Sequence, residues 1–533
     1  MKYCHRLLVV LCVVLVCISI GISLSAQDRV VVTVSATAAG DAPIMTLGKA
    51  DFTVQESGKP RALTTFVSPE AKPAAPPQLQ PNEFSNLPDF REASGAIFVV
   101  LDTSGTRYSD ERDSRPLILK FLGKAAQAKH AVTLGILSNK GLHLYHDYRT
   151  GSDVLLAALI KAGLGGMKGV SPPPGVNEAE VTAEAARLMA FSKGDLSNAT
   201  PDLQLLRAPI DLPLTMFQDV GFASEGLPGR KSLVWMTNAV PFDIDPKTMQ
   251  FKSPQIAGQG VAVSGLTVGG AKDALTPAEI KRITPIWRQA VRAVFDGGVA
   301  VYPVEVNRAA TSASSSFTQQ RMKELALLTG GKAFYGSNDP FPDILQSSTG
   351  NTAGYELGYS TDANTSPDFR RLEVTVNQPN VQVNHPAGFF PYEGTPKSRA
   401  TDEIGIAMTS PLEYTGIRFK VAVTGIEDGA GGKKKINLLI TLPGNAGILN
   451  EATGTVDVGF LAVAANAKGE KVGNMNEGAG GKFPPEAVAQ IKEMGFQLKR
   501  SFEASPGECN VRFLVRDNQT GRMGDVFFPL TVK

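Results

Sequence analysis

Three side chains that carry oxygen lie close together in the sequence, at Asp102, Ser104 and Thr106. They follow the pattern Asp-x-Ser-x-Thr, so one carboxylate and two hydroxyls alternate along a short stretch. Carboxylate and hydroxyl oxygens are hard donors of the kind that Mg2+ and Ca2+ prefer in proteins. The spacing therefore indicates a candidate site for one of these two cations.

The element that must position these side chains is the apolar run that ends at Asp102. Residues 96–101 read Ala-Ile-Phe-Val-Val-Leu, with no polar residue among them. An unbroken run rich in Val and Ile is typical of a strand that is buried on both faces, as in a parallel sheet. In open α/β sheets, ligands bind where loops leave the carboxyl ends of such strands. Asp102 falls at this position.

The chain is too long for one hydrophobic core, and its composition changes along its length. Residues 27–67 contain strand-forming runs and predict a β-rich N-terminal segment, whereas residues 68–92 are rich in Pro and Ala and predict a linker. Residues 93–392 alternate between strand and helix patterns, which predicts an α/β domain with a doubly wound sheet. Residues 402–533 carry regular short strands with turn signals, which predicts a β-sandwich of the immunoglobulin or fibronectin type.

Several segments carry a family resemblance. The relevant residues are Leu47 to Pro60, Pro228 to Trp235, Val299 to Val304, Leu325 to Tyr335, Tyr355 to Tyr359 and Gly388 to Phe390. In order and spacing, these segments resemble the exported bacterial VWFA-related domain family, known chiefly from acidobacteria. The resemblance covers residues 44–392 and implies a Rossmann-like von Willebrand A-type fold, extracytoplasmic location and a binding role. The stretch Arg516-Asp517-x-x-Thr520-Gly521 is similar to such proteins more loosely.

The same resemblance implies a set of metal ligands from three loops. Asp102, Ser104 and Thr106 match the first loop, and Thr215 is the best placed residue for the second. Asn238 stands where the third loop normally has an aspartate, so the expected site is degenerate and has lost one carboxylate. In von Willebrand factor A domains, whose first metal loop residues 102–106 resemble, the metal keeps one position for a carboxylate of the partner.

Two alternatives to a full metal site follow from the residues themselves. Asp243 and Asp245 lie further along the third loop and are the carboxylates that would replace the missing one. Otherwise Asp102 and Ser104 cap a turn and serve the fold alone. His143 and His146 do not predict a zinc site, because residues three apart on a strand point to opposite faces.

The N-terminus predicts export. Lys2 and Arg6 flank the start of an apolar run that continues to Ile22, and small residues follow as far as Ala26. This pattern is typical of a signal peptide, residues 1–26, and its alternative is an uncleaved membrane anchor. Beyond it the chain has a single cysteine, Cys509, so no internal disulfide is expected in an exported form. We therefore expect the periplasm, the cell envelope or secretion.

The net charge of +2 gives no argument for nucleic acid as a partner. With five histidines in the whole chain, candidates for general acid–base catalysis are few, so an enzyme is not expected. The sequence therefore predicts an exported, non-catalytic binding protein that mediates adhesion to a protein or to a matrix or envelope component. The alternatives are a structural envelope protein with a non-functional metal site and a metal-dependent hydrolase that uses Asp102.

Overall fold

The computed structural model describes residues 29–38, 42–70, 78–87, 95–104, 108–195, 210–238, 240–252, 275–306, 313–337, 339–351, 354–362 and 366–533. The predicted signal peptide lies outside these residues. No helix in the described ranges is both long enough and apolar enough to cross a membrane.

The described residues form 24 β-strands and nine α-helices. The strands are β1 (Arg29–Thr37), β2 (Phe52–Glu56), β3 (Lys59–Arg61), β4 (Leu63–Val67), β5 (Glu83–Ser85), β6 (Ala96–Asp102), β7 (Ala131–Ser138), β8 (Gly141–His146), β9 (Lys231–Thr237), β10 (Asp243–Ile244), β11 (Phe251–Lys252), β12 (Val299–Glu305), β13 (Gly354–Ser360), β14 (Arg370–Val376), β15 (Gln382–Asn384), β16 (Gly388–Phe389), β17 (Lys420–Asp428), β18 (Lys434–Leu442), β19 (Leu449–Asn450), β20 (Thr455–Ala465), β21 (Lys471–Lys482), β22 (Phe496–Ala504), β23 (Gly507–Asp517) and β24 (Met523–Val532). The helices are α1 (Tyr108–Gln127), α2 (Ser152–Ala162), α3 (Glu178–Lys193), α4 (Asp211–Ser224), α5 (Pro277–Asp296), α6 (Ala313–Thr329), α7 (Phe341–Asn351), α8 (Pro396–Thr409) and α9 (Pro485–Met494).

One sheet of five strands has the order β12-β9-β6-β7-β8. Its first four strands are parallel and β8 runs antiparallel at the edge. The apolar runs within β6 (Ala96–Leu101), β9 (Leu233–Met236) and β12 (Val299–Val304) agree with their burial, because helices cover both faces of this sheet. Trp235 and Trp287 lie in the core on one face, with α4, α5 and α6.

Two four-stranded antiparallel sheets contain the N-terminal strands. Their orders are β15-β1-β13-β4 and β16-β14-β2-β3, and one shared apolar core lies between them. β13 and β14 follow one another along the chain but do not pair with each other. β13 pairs with β1 and β4, and β14 pairs with β2 and β16. Alternation of side chains identified these strands correctly as strands, but it carries no information on which distant strand each one pairs with.

The largest sheet is antiparallel and follows the order β24-β23-β20-β21-β22-β18-β17-β5, with β19 attached to β20. Its inward side chains form one apolar core, and its two ends approach each other where the rings of Phe84 and Phe528 stack at 4.2 Å. Residues on opposite sides of the core pack together as they would in a β-sandwich. The sheet is nevertheless continuous, so we refer to it as the C-terminal barrel.

The predicted fold class, an α/β protein with a doubly wound von Willebrand A-type sheet, is therefore wrong for this chain. The described part is β-rich, most of its sheets are antiparallel, and the parallel strands belong to only one of its five sheets. The prediction failed because an apolar run reports burial on two faces locally. It does not report how much of the remaining chain joins the same sheet.

Candidate functional site

Asp102 ends β6 and is the centre of a cluster of hydrogen bonds. Its Oδ1 accepts from the backbone N–H of Ser104 at 3.0 Å and from the Ser104 hydroxyl at 2.6 Å. Its Oδ2 accepts from the indole N–H of Trp235 and from the hydroxyl of Thr237, both at 3.2 Å. The carboxylate is 3% exposed, so these donors replace the water that it has lost. Asp102 thus ties the loop that follows β6 to the neighbouring strand β9.

Burial raises the pKa of Asp102, because the charged form loses its hydration. The hydrogen bonds from Ser104, Thr237 and Trp235 act in the opposite direction, since they stabilise the charged carboxylate. The loop after β6 is held a second time by Thr103, whose backbone N–H and hydroxyl both donate to the carbonyl of Leu137, at 2.8 and 3.1 Å. The strand ends of β6, β7 and β9 are therefore linked by polar contacts.

Asn238 follows Thr237 directly and lies at the same end of the sheet. The parallel register places Leu101 beside Met236, so the next residues along the two strands, Asp102 and Thr237, come together. The Oδ1 atom of Asn238 is buried, and it has no hydrogen-bond partner among the described residues. A buried acceptor without a donor is costly, and in native structures such an atom calls for an explanation.

Thr215 lies on α4 and is half-buried. It lines a cavity of about 20 Å³ together with Leu137, Asp219 and six further residues. Because Leu137 is the register partner of Asp102 on β7, this cavity lies beside the same strand ends. Thr106, the remaining predicted ligand, lies outside the described residues.

Asp243 and Asp245, the alternative carboxylates of the third loop, are engaged elsewhere. Asp243 forms an ion pair with Arg321 of α6. Asp245 pairs with Lys252 at 2.8 Å and also accepts hydrogen bonds from two backbone N–H groups of its own turn. Both side chains therefore stabilise the β10–β11 hairpin and the helix beside it.

The fit of these residues to a divalent cation is poor. Asp102 supplies the one carboxylate of the cluster, and both of its oxygens already accept hydrogen bonds. Within the described ranges, no three or more His, Cys, Asp or Glu side chains are grouped closely enough to hold a metal ion. The geometry favours a structural anchor at Asp102, and the metal site stays a prediction.

Sequence reasoning missed a second polar cluster, which joins the C-terminal barrel to α8. Glu403 accepts from Arg516 at 2.6 Å through one oxygen and from Arg399 at 2.8 Å through the other. All three side chains are buried. Asp517 shapes the adjoining turn, since it accepts from the backbone of Gln519 and from the hydroxyl of Thr520. The sequence marked the Arg516-Asp517-x-x-Thr520-Gly521 stretch, but it did not indicate that Arg516 would pair with Glu403 on α8.

Arg230 is another buried residue with a structural role that the sequence did not reveal. Its guanidinium donates to the carbonyls of Asn384, Thr329 and Gly330, at 2.6 to 2.9 Å. It thereby connects the start of β9 to the end of α6 and to β15 of an N-terminal sheet. Lys231 beside it donates to the carbonyls of Leu227 and Gly229.

No model of a known protein family matches the chain, and no curated protein matches it. Among solved structures, the PilB minor pilin from Streptococcus sanguinis is similar with 13% identity and a TM-score of 0.22, over 50% of this chain and 63% of that one. The pilus adhesin SpaC from Lactobacillus rhamnosus GG gives 10% identity and a TM-score of 0.26, over 90% and 56%. A glycosyl hydrolase family 2 member from Bacteroides cellulosilyticus has 8% identity and a TM-score of 0.16, over 34% of this chain and 20% of that one. The chain thus covers less than two thirds of each, and TM-scores this low do not establish a shared overall fold.

Proposed function

We propose that this chain is an exported, non-catalytic binding protein that attaches to a protein or to another component of the cell envelope or matrix. The binding face would be the carboxyl ends of β6, β7 and β9, which we call the strand-end face. The observation that carries the proposal is the polar loop after β6, which Asp102 ties to β9 and Thr103 ties to β7. Asn238 follows β9 at the same end and its side chain is partly exposed, so a partner that approaches this face would contact it.

The hydrogen bonds that fix the strand-end face favour binding, because the face is already ordered before a partner arrives. Asp102 and Thr103 fix the loop after β6 through hydrogen bonds to β9 and β7. A face that is already ordered loses less conformational entropy on association. Export rests on the apolar segment of residues 7–22, with Lys2 and Arg6 at its start.

Participation of Mg2+ or Ca2+ is a separate question, which thermal unfolding answers. A cation at one hundred times its dissociation constant stabilises a protein by about 2.7 kcal/mol. Because Asp102 is saturated with hydrogen bonds, we expect the unfolding temperature to be the same in EDTA and in millimolar Mg2+ or Ca2+. A rise in the unfolding temperature on addition of the cation, abolished by Asp102→Ala, would instead support adhesion that depends on a cation.

The test of the proposed function compares Asn238→Leu with the wild-type chain. Leucine has nearly the shape of asparagine but offers no amide, so binding should weaken while the fold survives. The measurement is retention of the purified full chain on immobilised envelope and extracellular fractions of the source cells. Asn474→Ala is the matched control, since Asn474 is an exposed amide on β21, far along the chain in the C-terminal barrel. Equal retention of all three proteins would refute the strand-end face and favour a purely structural envelope role.

A further inference from the structure

The C-terminal barrel is closed along only part of its length. The short strand β5 lies between β17 and β24 and completes the closure there. It pairs with Lys420 to Ala422 of β17, and its Phe84 stacks on Phe528 of β24. β5 has three residues, whereas β17 has nine and β24 has ten. The two longer strands therefore extend beyond the strand that separates them.

A turn at residues 80–83 precedes β5 and limits the strand at its amino end. Glu83 donates its backbone N–H to the carbonyl of Gln80 at 3.0 Å, and Asn82 has a φ of 65°. Asn tolerates this left-handed conformation better than most residues. The turn directs the chain away from the line of β5. The last hydrogen bond from this edge of β17 is donated by the backbone N–H of Val423 to the carbonyl of Asn82, at 3.0 Å.

Past this point an open slot of about 790 Å³ separates β17 from β24. Its apolar lining consists of side chains that pack against the barrel core and are only partly buried: Phe84, Val423, Ile426 and Leu530. Beyond residue 423, no strand in the described ranges pairs with this edge of β17. The slot thus exposes both an apolar floor and a free strand edge.

The two edges of the slot are unequal. Pro529 lies on the β24 side and lacks an N–H, which lowers the capacity of that edge to pair. On the β17 side, Gly425 leaves room for a close backbone, since a Cβ there would contact only the Asn437 amide at 3.8 Å. An added strand would therefore pair with β17 and lie against β24.

We propose that the slot binds an extended segment of a partner protein, which pairs with β17 as an added strand and continues the line of β5. Strand addition of this kind obtains affinity from backbone hydrogen bonds and specificity from alternate side chains. The occupant is defined by continuity with the β5–β17 contact and by the apolar floor. It would be free of proline and would place apolar residues at every second position.

Charge favours a basic segment. Glu427 follows the lining residue Ile426, and Glu508 lines the slot on β23; both carboxylates are exposed. Lys533, on the β24 side, is the opposing cation among the lining residues. This second surface is distinct from the strand-end face and does not depend on it.

The test uses the full chain and a fluorescein-labelled peptide of sequence Lys-Thr-Val-Thr-Val-Thr-Val-Thr-Lys. Fluorescence anisotropy should show saturable binding that Ile426→Asn weakens by about tenfold or more, the equivalent of about 1.4 kcal/mol. Val472→Asn is the matched control, because Val472 is also a half-buried aliphatic side chain packed on the barrel core, but on β21. This variant should bind as the wild type does. A peptide with proline at the central valine should not bind.

Hydrogen exchange then locates the peptide without any variant, so that a failure of Ile426→Asn to fold does not affect the outcome. Those amides of residues 424–427 that do not already bond to β18 should become protected when the peptide is added. Absence of saturable binding at millimolar peptide, or protection confined to other strands, would overturn the proposal. Protection of the same amides that rises with protein concentration alone would assign the slot to a second copy of the chain, and would overturn the partner-protein assignment.

Discussion

Replacement of Arg516 by methionine removes one of two cations from a buried carboxylate. The side chain of Arg516 is 1% exposed and that of Glu403 is 7% exposed. Removal of one partner from a buried pair costs about 3–5 kcal/mol, because the remaining charge is left in a poor solvent. Glu403 keeps Arg399 at 2.8 Å, so we expect the lower end, a loss of about 3 kcal/mol in the free energy of unfolding.

Urea unfolding of the full chain, followed by circular dichroism, measures this loss. Lys492→Met is the matched control, because its pair with Glu451 joins side chains that are 50% and 64% exposed. Such surface pairs contribute about 0.2–1 kcal/mol. The triple variant Arg399→Met with Glu403→Met and Arg516→Met should recover part of the loss, since none of the three buried charges is then left without its partner. If Arg516→Met costs no more than Lys492→Met, the cluster does not hold the C-terminal barrel to α8 as described.

Three further predictions concern other buried polar groups. Arg230→Met should lower the urea midpoint markedly, because three carbonyls lose their donor; Arg230→Lys should restore only part of it. Thr237→Val removes the 3.2 Å bond to Asp102 and should cost about 1.5–3 kcal/mol, whereas Thr237→Ser keeps the hydroxyl and should cost about 0.5–1.5 kcal/mol, for the lost methyl group alone, in the same assay. Burial raises the pKa of Glu225 from 4.5 to about 8, so the folded state keeps a proton that the unfolded state has lost. The free energy of unfolding should therefore fall as pH rises from 4.5 to about 8, and Glu225→Gln should flatten this fall; an unchanged slope would contradict the assignment.

Local patterns in the sequence predicted the strands of the parallel sheet well, because these strands are buried on both faces and are therefore rich in apolar residues. The apolar run before Asp102 is a strand, and Lys231–Thr237 and Val299–Glu305 join it in one parallel sheet. The pairing of β13 with β1 could not be predicted in this way, because it joins residues more than three hundred positions apart. The same is true of β5, which lies in the predicted linker and pairs with β17.

The candidate site was predictable in its residue types but not in its hydrogen bonds. The sequence marked Asp102 and Ser104 because oxygen-bearing side chains follow a buried strand. That the carboxylate would accept from Trp235 and Thr237 depends on the register between β6 and β9, which no local pattern gives. The fold class that was predicted is wrong because the motifs, however well spaced, report local elements and not the β-rich architecture around them.

Site-specific photo-crosslinking in cells shows whether the strand-end face binds an envelope or matrix component. A photoreactive amino acid replaces Lys140, which is exposed in the turn after the carboxyl end of β7. In a second protein it replaces Gln127, which is exposed near the amino end of the same strand. Irradiation of intact source cells should yield a discrete adduct from position 140 and none from position 127, and Asn238→Leu should reduce the adduct. Equal adducts from both positions, or an adduct from position 127 alone, would mean that the strand-end face does not bind the partner.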